Sequence, residues 1–102
     1  MKPLIAVTCC WPNIAAVGAI RRTWAAKSPI PVKFFFGQPK KPRQVQPDEI
    51  VLPVQDDYPH HIQKVATMFR WAKANGFTHV WKADDDCYLA VDRLLKKWFA
   101  RS

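Results

Sequence analysis

Glycine is scarce in this chain: Gly18, Gly37 and Gly76 are the only three in 102 residues. No glycine-rich phosphate loop, Walker lysine motif or dinucleotide fingerprint can be written with them. A phosphate ligand would have to be held by cationic side chains or a metal. Cysteine is equally sparse. Cys9, Cys10 and Cys87 cannot all pair within the chain, so a disulfide scaffold is excluded. Free thiols suit a reducing compartment. No His or Cys stands at zinc-ligand spacing from Cys87, which reads as a core thiol. Long apolar runs are missing as well. The longest, residues 9–20, is broken by Pro12 and Asn13 and is shorter than the roughly 20 residues a membrane span needs. Charge returns at Arg21 with no secretory pattern before it. The expectation is a cytoplasmic protein with no membrane segment. Acids are few, 8 against 16 Lys and Arg, for a formal charge of +8. That surplus points to anionic partners: nucleic acid, a phosphate-bearing small molecule or an acidic surface.

Apolar residues make up 49% of the chain and aromatics 13%, which excludes a disordered tail and suits one domain over residues 1–102. Residues 4–8 form a short apolar run, as in a strand buried on both faces. Asn13 is a candidate N-cap. Ile14, Val17, Ile20 and Trp24 follow at helical spacing, giving a helix to about Lys27, where Ser28 and Pro29 end it. Residues 32–36 read as a second strand, 38–48 as a proline-bearing basic loop and 49–54 as a third strand. Tyr58 and Pro59 open a helix whose apolar stripe is Ile62, Val65, Ala66, Phe69 and Ala72, with Gly76 as its stop. Residues 78–83 form a fourth strand, and a last helix begins near Val91 with Leu94, Leu95 and Trp98. Trp24, Trp81 and Trp98 are taken as core residues. The order β-α-β-β-α-β-α predicts an α/β layer with a mostly parallel sheet flanked by helices.

Asp84, Asp85 and Asp86 form the sharpest local feature. Three neighbouring like charges repel and cost stability unless something offsets them. They follow a strand, and open α/β sheets bind ligands at the carboxyl ends of their strands. Carboxylates there can hold a hard divalent cation that also binds phosphate oxygens. The plain alternative is a solvated acidic turn. Arg21, Arg22 and Lys64 could neutralise phosphate, or they could be ordinary solvated helix faces. His60 and His61 at a helix start read as surface residues. Nucleic-acid binding, the less favoured reading, would rest on Lys40, Lys41 and Arg43 with Lys96, Lys97 and Arg101.

Four segments then carry a resemblance. Ile20-Arg21-Arg22-Thr23-Trp24 resembles the I-R-x-T-W signature of the β-1,3-galactosyltransferase and Fringe-like glycosyltransferases. Phe34-Phe35-Phe36-Gly37 is similar to that family's F-x-x-G strand end. Asp56-Asp57-Tyr58 with Lys64 resembles its D-x-Y-x-N-L-x-x-K segment, with His61 and Ile62 replacing the usual Leu-Thr. Lys82-Ala83-Asp84-Asp85-Asp86-Cys87-Tyr88-Leu89 resembles its K-x-D-D-D block, and Val91-Asp92 with Leu94-Leu95 continues it. The four pieces stand in the family's order over roughly residues 4–96.

The resemblance implies the nucleotide-binding layer of a GT-A fold and a metal-dependent hexosyltransferase using a UDP-sugar. It implies Mn²⁺ or Mg²⁺ bridging the diphosphate, with Asp86 and Asp84 as metal ligands. Thr8, Arg21, Asp57, Lys64, Asp84 and Asp85 would bind the sugar nucleotide, Asp57 holding the nucleoside. The acceptor would be a glycan or protein. Family members are longer, and their second half supplies the acceptor site and catalytic base. The expectation is therefore a half-enzyme, served by a partner chain, or a non-catalytic module binding sugar nucleotide or nucleic acid. No catalytic residue is assigned. Asp84-x-Asp86 also formally fits the acidic pair of haloacid-dehalogenase-like phosphatases, but there the pair follows the first strand.

Overall fold

The central strand of the computed structural model, which describes residues 2–84, is β1 (Pro3–Thr8). Four of its six residues, Leu4, Ile5, Ala6 and Val7, have no solvent exposure, as a continuous apolar run in a parallel sheet requires. The chain continues through α1 (Ile14–Arg22), β2 (Val32–Gln38), β3 (Glu49–Gln55), α2 (His61–Ala74) and β4 (His79–Asp84). Short 3-10 turns occupy Trp11–Asn13, Ala25–Lys27 and Tyr58–His60. The sheet order is β3-β2-β1-β4, and every pairing is parallel. The predicted parallel α/β layer is thus the observed one. The expected helix from Val91 lies outside the described residues.

Side-chain alternation on β1 and β2 divides the core into two layers. Ile5, Val7, Phe34 and Phe36 pack with Val17, Ile20 and Trp24 on the α1 side. Leu4, Ala6 and Phe35 pack with Leu52, Met68 and Ala72 on the α2 side. Burying a side chain of this size stabilises by about 1.5–3 kcal/mol relative to exposure. Trp24 is core, as its spacing predicts, although α1 stops before it. Thr23 ends the helix, its hydroxyl donating to the Ala19 carbonyl at 2.8 Å. Trp81 is only half-buried, on the edge strand β4. Asn13 stands at the N-cap of α1 without a side-chain bond to the helix. Gly76, at φ 85°, ends α2 in the left-handed conformation that favours glycine.

The buried face of α2 differs from the expected stripe. Lys64, Met68 and Ala72 are buried, whereas Ile62 is 82% and Phe69 42% exposed. A pattern that places every lysine on the outside rotates the helix away from its true inner face. Lys64 lies inward because a buried carboxylate receives it.

The connection from β2 to β3 contains no helix. Two parallel neighbours require the chain to return from the carboxyl edge to the amino edge. Residues 39–48 do this as irregular chain containing Pro39, Pro42 and Pro47. Extended chain of that length spans about 30 Å at about 3.1 Å per residue, ample for the roughly 20 Å of strand to be retraced. Proline needs no partner for an N–H it lacks. Among the described residues, no helix is long and apolar enough to cross a membrane.

The two assignments of the α2 face separate by mutation. Met68→Ala is expected to cost about 2–5 kcal/mol in denaturant unfolding, and Ile62→Ala to stay within about 0.5 kcal/mol of the parent. Equal losses would restore the stripe read from the sequence.

Candidate functional site

The sheet changes direction at β1. From β1 the chain crosses through α1 to β2 on one side. It returns from β3 through α2 to β4 on the other side. The crevice at the carboxyl ends of β1 and β4 is therefore a topological switch point, the usual ligand position in open α/β sheets. Thr8 and Asp84 end these two strands and are register partners. The Thr8 hydroxyl donates to Asp84 Oδ1 at 2.8 Å, with the Ala83 carbonyl at 3.3 Å. Lys82 Nζ donates to the same Oδ1 at 2.8 Å. Lys82 first and Thr8 second hold the Asp84 carboxyl below the usual carboxylate range. Asp84 remains 55% exposed, and among the described residues both side-chain bonds fall on Oδ1. The pairing thus joins two of the expected site residues. Asp85 and Asp86 lie outside the described residues.

A second constellation lies at the carboxyl ends of β2 and β3, and its centre is Asp56 rather than Asp57. Asp56 Oδ1 accepts from Gly37 N at 3.0 Å and from Lys64 Nζ at 2.8 Å, and Oδ2 accepts from Trp11 N at 2.8 Å. Lys64 Nζ also donates to the Cys9 carbonyl. The Lys64 and Asp56 side chains are 7% and 6% exposed. Burial alone pushes the Asp56 carboxyl up. The bonds from Lys64, Trp11 and Gly37 outweigh it, so the net shift is downward. A register irregularity between Phe36 and Gln38 marks where the Gly37 N–H serves Asp56. Gly37 is needed for closeness: a Cβ there would lie 2.7 Å from the backbone of Asp56. The Gly37 carbonyl accepts from Trp11 Nε1 at 2.8 Å. Trp11 stacks on Phe36 at 3.9 Å between ring centroids, and the Arg43 guanidinium lies 4.6 Å from the Trp11 ring centre.

Beside this framework is a cleft of about 880 Å³, lined by Trp11, Gln38, Lys40, Arg43, Asp56 and Asp57 among others. Asp57 is exposed and accepts from the backbone N–H of His60, whose ring also contacts it. It borders the cleft and pins the turn before α2. Lys64 is near the site but committed to Asp56 and Cys9. Sequence reasoning missed Asp56, Trp11 and Gly37 as a unit. The available signal was the F-x-x-G strand end opposite the Asp-Asp-Tyr segment.

Arg21 does not join either group. α1 runs against β1, so its C-terminal end returns to the amino edge of the sheet. There Arg21 Nε and Nη2 grip Asp48 at 2.8 Å each, and Nη2 reaches Glu49 at 2.9 Å. Its guanidinium pKa is raised, chiefly by the bond to Asp48. Arg21, expected at the sugar nucleotide, thus stands at the start of β3, at the opposite edge from Thr8 and Asp84.

Among the described residues, no group of three or more His, Cys, Asp or Glu side chains is arranged to hold a metal ion. At the switch point, Asp84 offers a hard oxygen donor of the kind Mn²⁺ or Mg²⁺ takes. Comparison with protein-family models, curated proteins and solved structures finds no match.

Two outcomes test the Asp56 framework. Asp56→Asn leaves Lys64 buried opposite a neutral group and is expected to cost about 3–5 kcal/mol. The Asp56 pKa is depressed by folding, so its contribution is full above the unfolded value of about 3.9 and disappears as pH falls through the lower folded value. Denaturant midpoints of the parent should therefore fall on acidification below about pH 4. Asp56→Asn should flatten that dependence, and an unchanged acid limb would assign the loss to other carboxylates.

Proposed function

We propose that this chain is the nucleotide-sugar-binding part of a metal-dependent glycosyltransferase that uses a UDP-hexose. The observation that carries the reading is the Thr8–Asp84 pairing at the switch point, with the Asp56-supported cleft at the same edge of the sheet. The four family-like segments support it from the sequence. Asp84 and Asp86 would hold Mn²⁺ or Mg²⁺, and Asp85 would contact the sugar nucleotide. A bound divalent cation would neutralise charge on the departing diphosphate. The chain's own groups do the rest. Thr8 and Lys82 keep Asp84 ionised and aimed along the edge, and the cleft beside Asp56 and Asp57 receives the nucleoside. Lys64 acts through Asp56 by fixing the cleft wall.

In transfer, the bond from the sugar anomeric carbon to the diphosphate oxygen breaks. The acceptor hydroxyl oxygen bonds to that carbon, and its proton passes to a base. No residue is assigned as that base, so donor binding is the activity proposed for the chain on its own. The alternative is a binding module for sugar nucleotide without turnover.

Calorimetry with UDP and UDP-galactose, with Mn²⁺ and after chelation, tests the reading. Mn²⁺ is expected to tighten binding at least tenfold, and Asp84→Asn to remove most of that gain while leaving the melting temperature within a few degrees. Equal affinity after chelation would sink the metal bridge, and no binding under either condition would sink the nucleotide reading. Detectable sugar transfer to a defined acceptor would rule out the non-catalytic alternative.

A further inference from the structure

We infer that the cleft beside Trp11 is extended by Lys40, Lys41 and Arg43 into a site for single-stranded nucleic acid. The inference rests on reading the cleft as a nucleotide site but needs no metal. Its first ground is the distribution of charge. Every carboxylate among the described residues is already bonded to a cation or a histidine: Asp48 and Glu49 to Arg21, Asp56 to Lys64, Asp57 to His60 and Asp84 to Lys82. Lys40, Lys41 and Arg43 have no such partner among the described residues. All three are exposed, and all three line the cleft. Asp56 and Asp57 line the same cleft but are bonded to Lys64 and His60, so the three rim cations leave it with a positive surplus that attracts a polyanion.

The second ground is geometry. Arg43 lies over the Trp11 ring, whose stacking partner is Phe36. A planar guanidinium backed by an aromatic pair is a platform on which a base can stack whatever its sequence. The third ground is stiffness. Pro39 and Pro42 flank the lysines, so the rim loses less freedom on binding than an unrestrained loop would. A volume of about 880 Å³ leaves room for a nucleotide and part of its neighbour. Bases would enter toward Arg43 and Asp57, while Lys40 and Lys41 meet the adjacent phosphates.

The test uses the full chain and a fluorescein-labelled twelve-residue oligo-dT, followed by anisotropy in the presence of a chelator at several salt concentrations. Three phosphate contacts to a single strand give a log–log salt slope near −2 from the rim alone, or about 15-fold in affinity between 50 and 200 mM salt. The triple variant Lys40→Ala, Lys41→Ala, Arg43→Ala is expected to lose at least tenfold and to flatten the slope by about 2. A control lacking three exposed cations elsewhere, Arg22→Ala, Lys27→Ala, Lys73→Ala, is expected to lose less than threefold. Equal losses in the two triple variants would overturn the proposal in favour of diffuse charge. So would equal competition by inorganic polyphosphate at matched charge, since no base would then be recognised. Both triple variants must retain the parent circular dichroism, and Arg43→Lys, which keeps the charge but not the planar platform, should still weaken binding. Absence of oligo-dT binding by the parent chain, with its Mn²⁺-dependent UDP binding intact, would refute this inference alone.

Discussion

A single buried ion pair, Lys64 with Asp56, holds the carboxyl edge of the sheet in place. Desolvating two charges is expensive, and attraction between them compensates only when the remaining polar positions are also filled. Here they are. Asp56 takes backbone N–H groups from Trp11 and Gly37, and Lys64 reaches the Cys9 carbonyl. The pair therefore ties together the chain leaving β1, the end of β2, the end of β3 and the first turns of α2. Each of these borders the cleft or leads into it. The same pair sets the inner face of α2 and explains why Ile62 and Phe69 face solvent.

Arg21 provides the counterpart at the amino edge. Its bidentate grip on Asp48 with a further bond to Glu49 anchors the far end of the chain that crosses from β2 to β3. Arg43 on Trp11 anchors the same crossover nearer its beginning. A connection with no helix of its own is thus held by charge and aromatic contact instead of by an apolar face. The consequence for function is an uneven surface. The acids among the described residues are spent on internal ties, and the cations of the crossover remain outside at the cleft rim. Part of the positive surplus thereby acquires a location that composition could not give it.

The neighbouring switch point obeys a different constraint. Thr8 and Asp84 meet because β1 and β4 are parallel neighbours in full register over six residue pairs. Lys82, two residues before Asp84 on the same face, joins them. These contacts keep one carboxylate charged and exposed at the edge where ligands of open α/β sheets bind. Switch point and cleft share one edge of the sheet, the carboxyl ends of its strands.

Much of the architecture was legible in the sequence because it follows from local pattern. The apolar run of β1, the aromatic run Phe34-Phe35-Phe36, the stop at Gly76 and the alternation of strands and helices lead to a parallel α/β layer. Burial on both faces needs continuous hydrophobicity, and helix ends need particular residues. The position of Asp84 at a strand end was legible for the same reason. What the sequence could not give was which charges face each other. Arg21 is close to the switch-point residues in no sense a linear motif reveals: the direction of α1 carries it to the opposite edge. Asp57 and Asp56 look alike in sequence, yet only Asp56 meets Lys64, Trp11 and Gly37, because strand register and the irregularity at Gly37 bring those donors to it. Lys64 looked like a surface residue until a partner 8 positions away was folded beside it. Local pattern decides which segments become strands and helices, since propensity and burial act over a few residues. Pairing of buried charges depends on contacts between distant segments, and those exist only once the tertiary structure has formed.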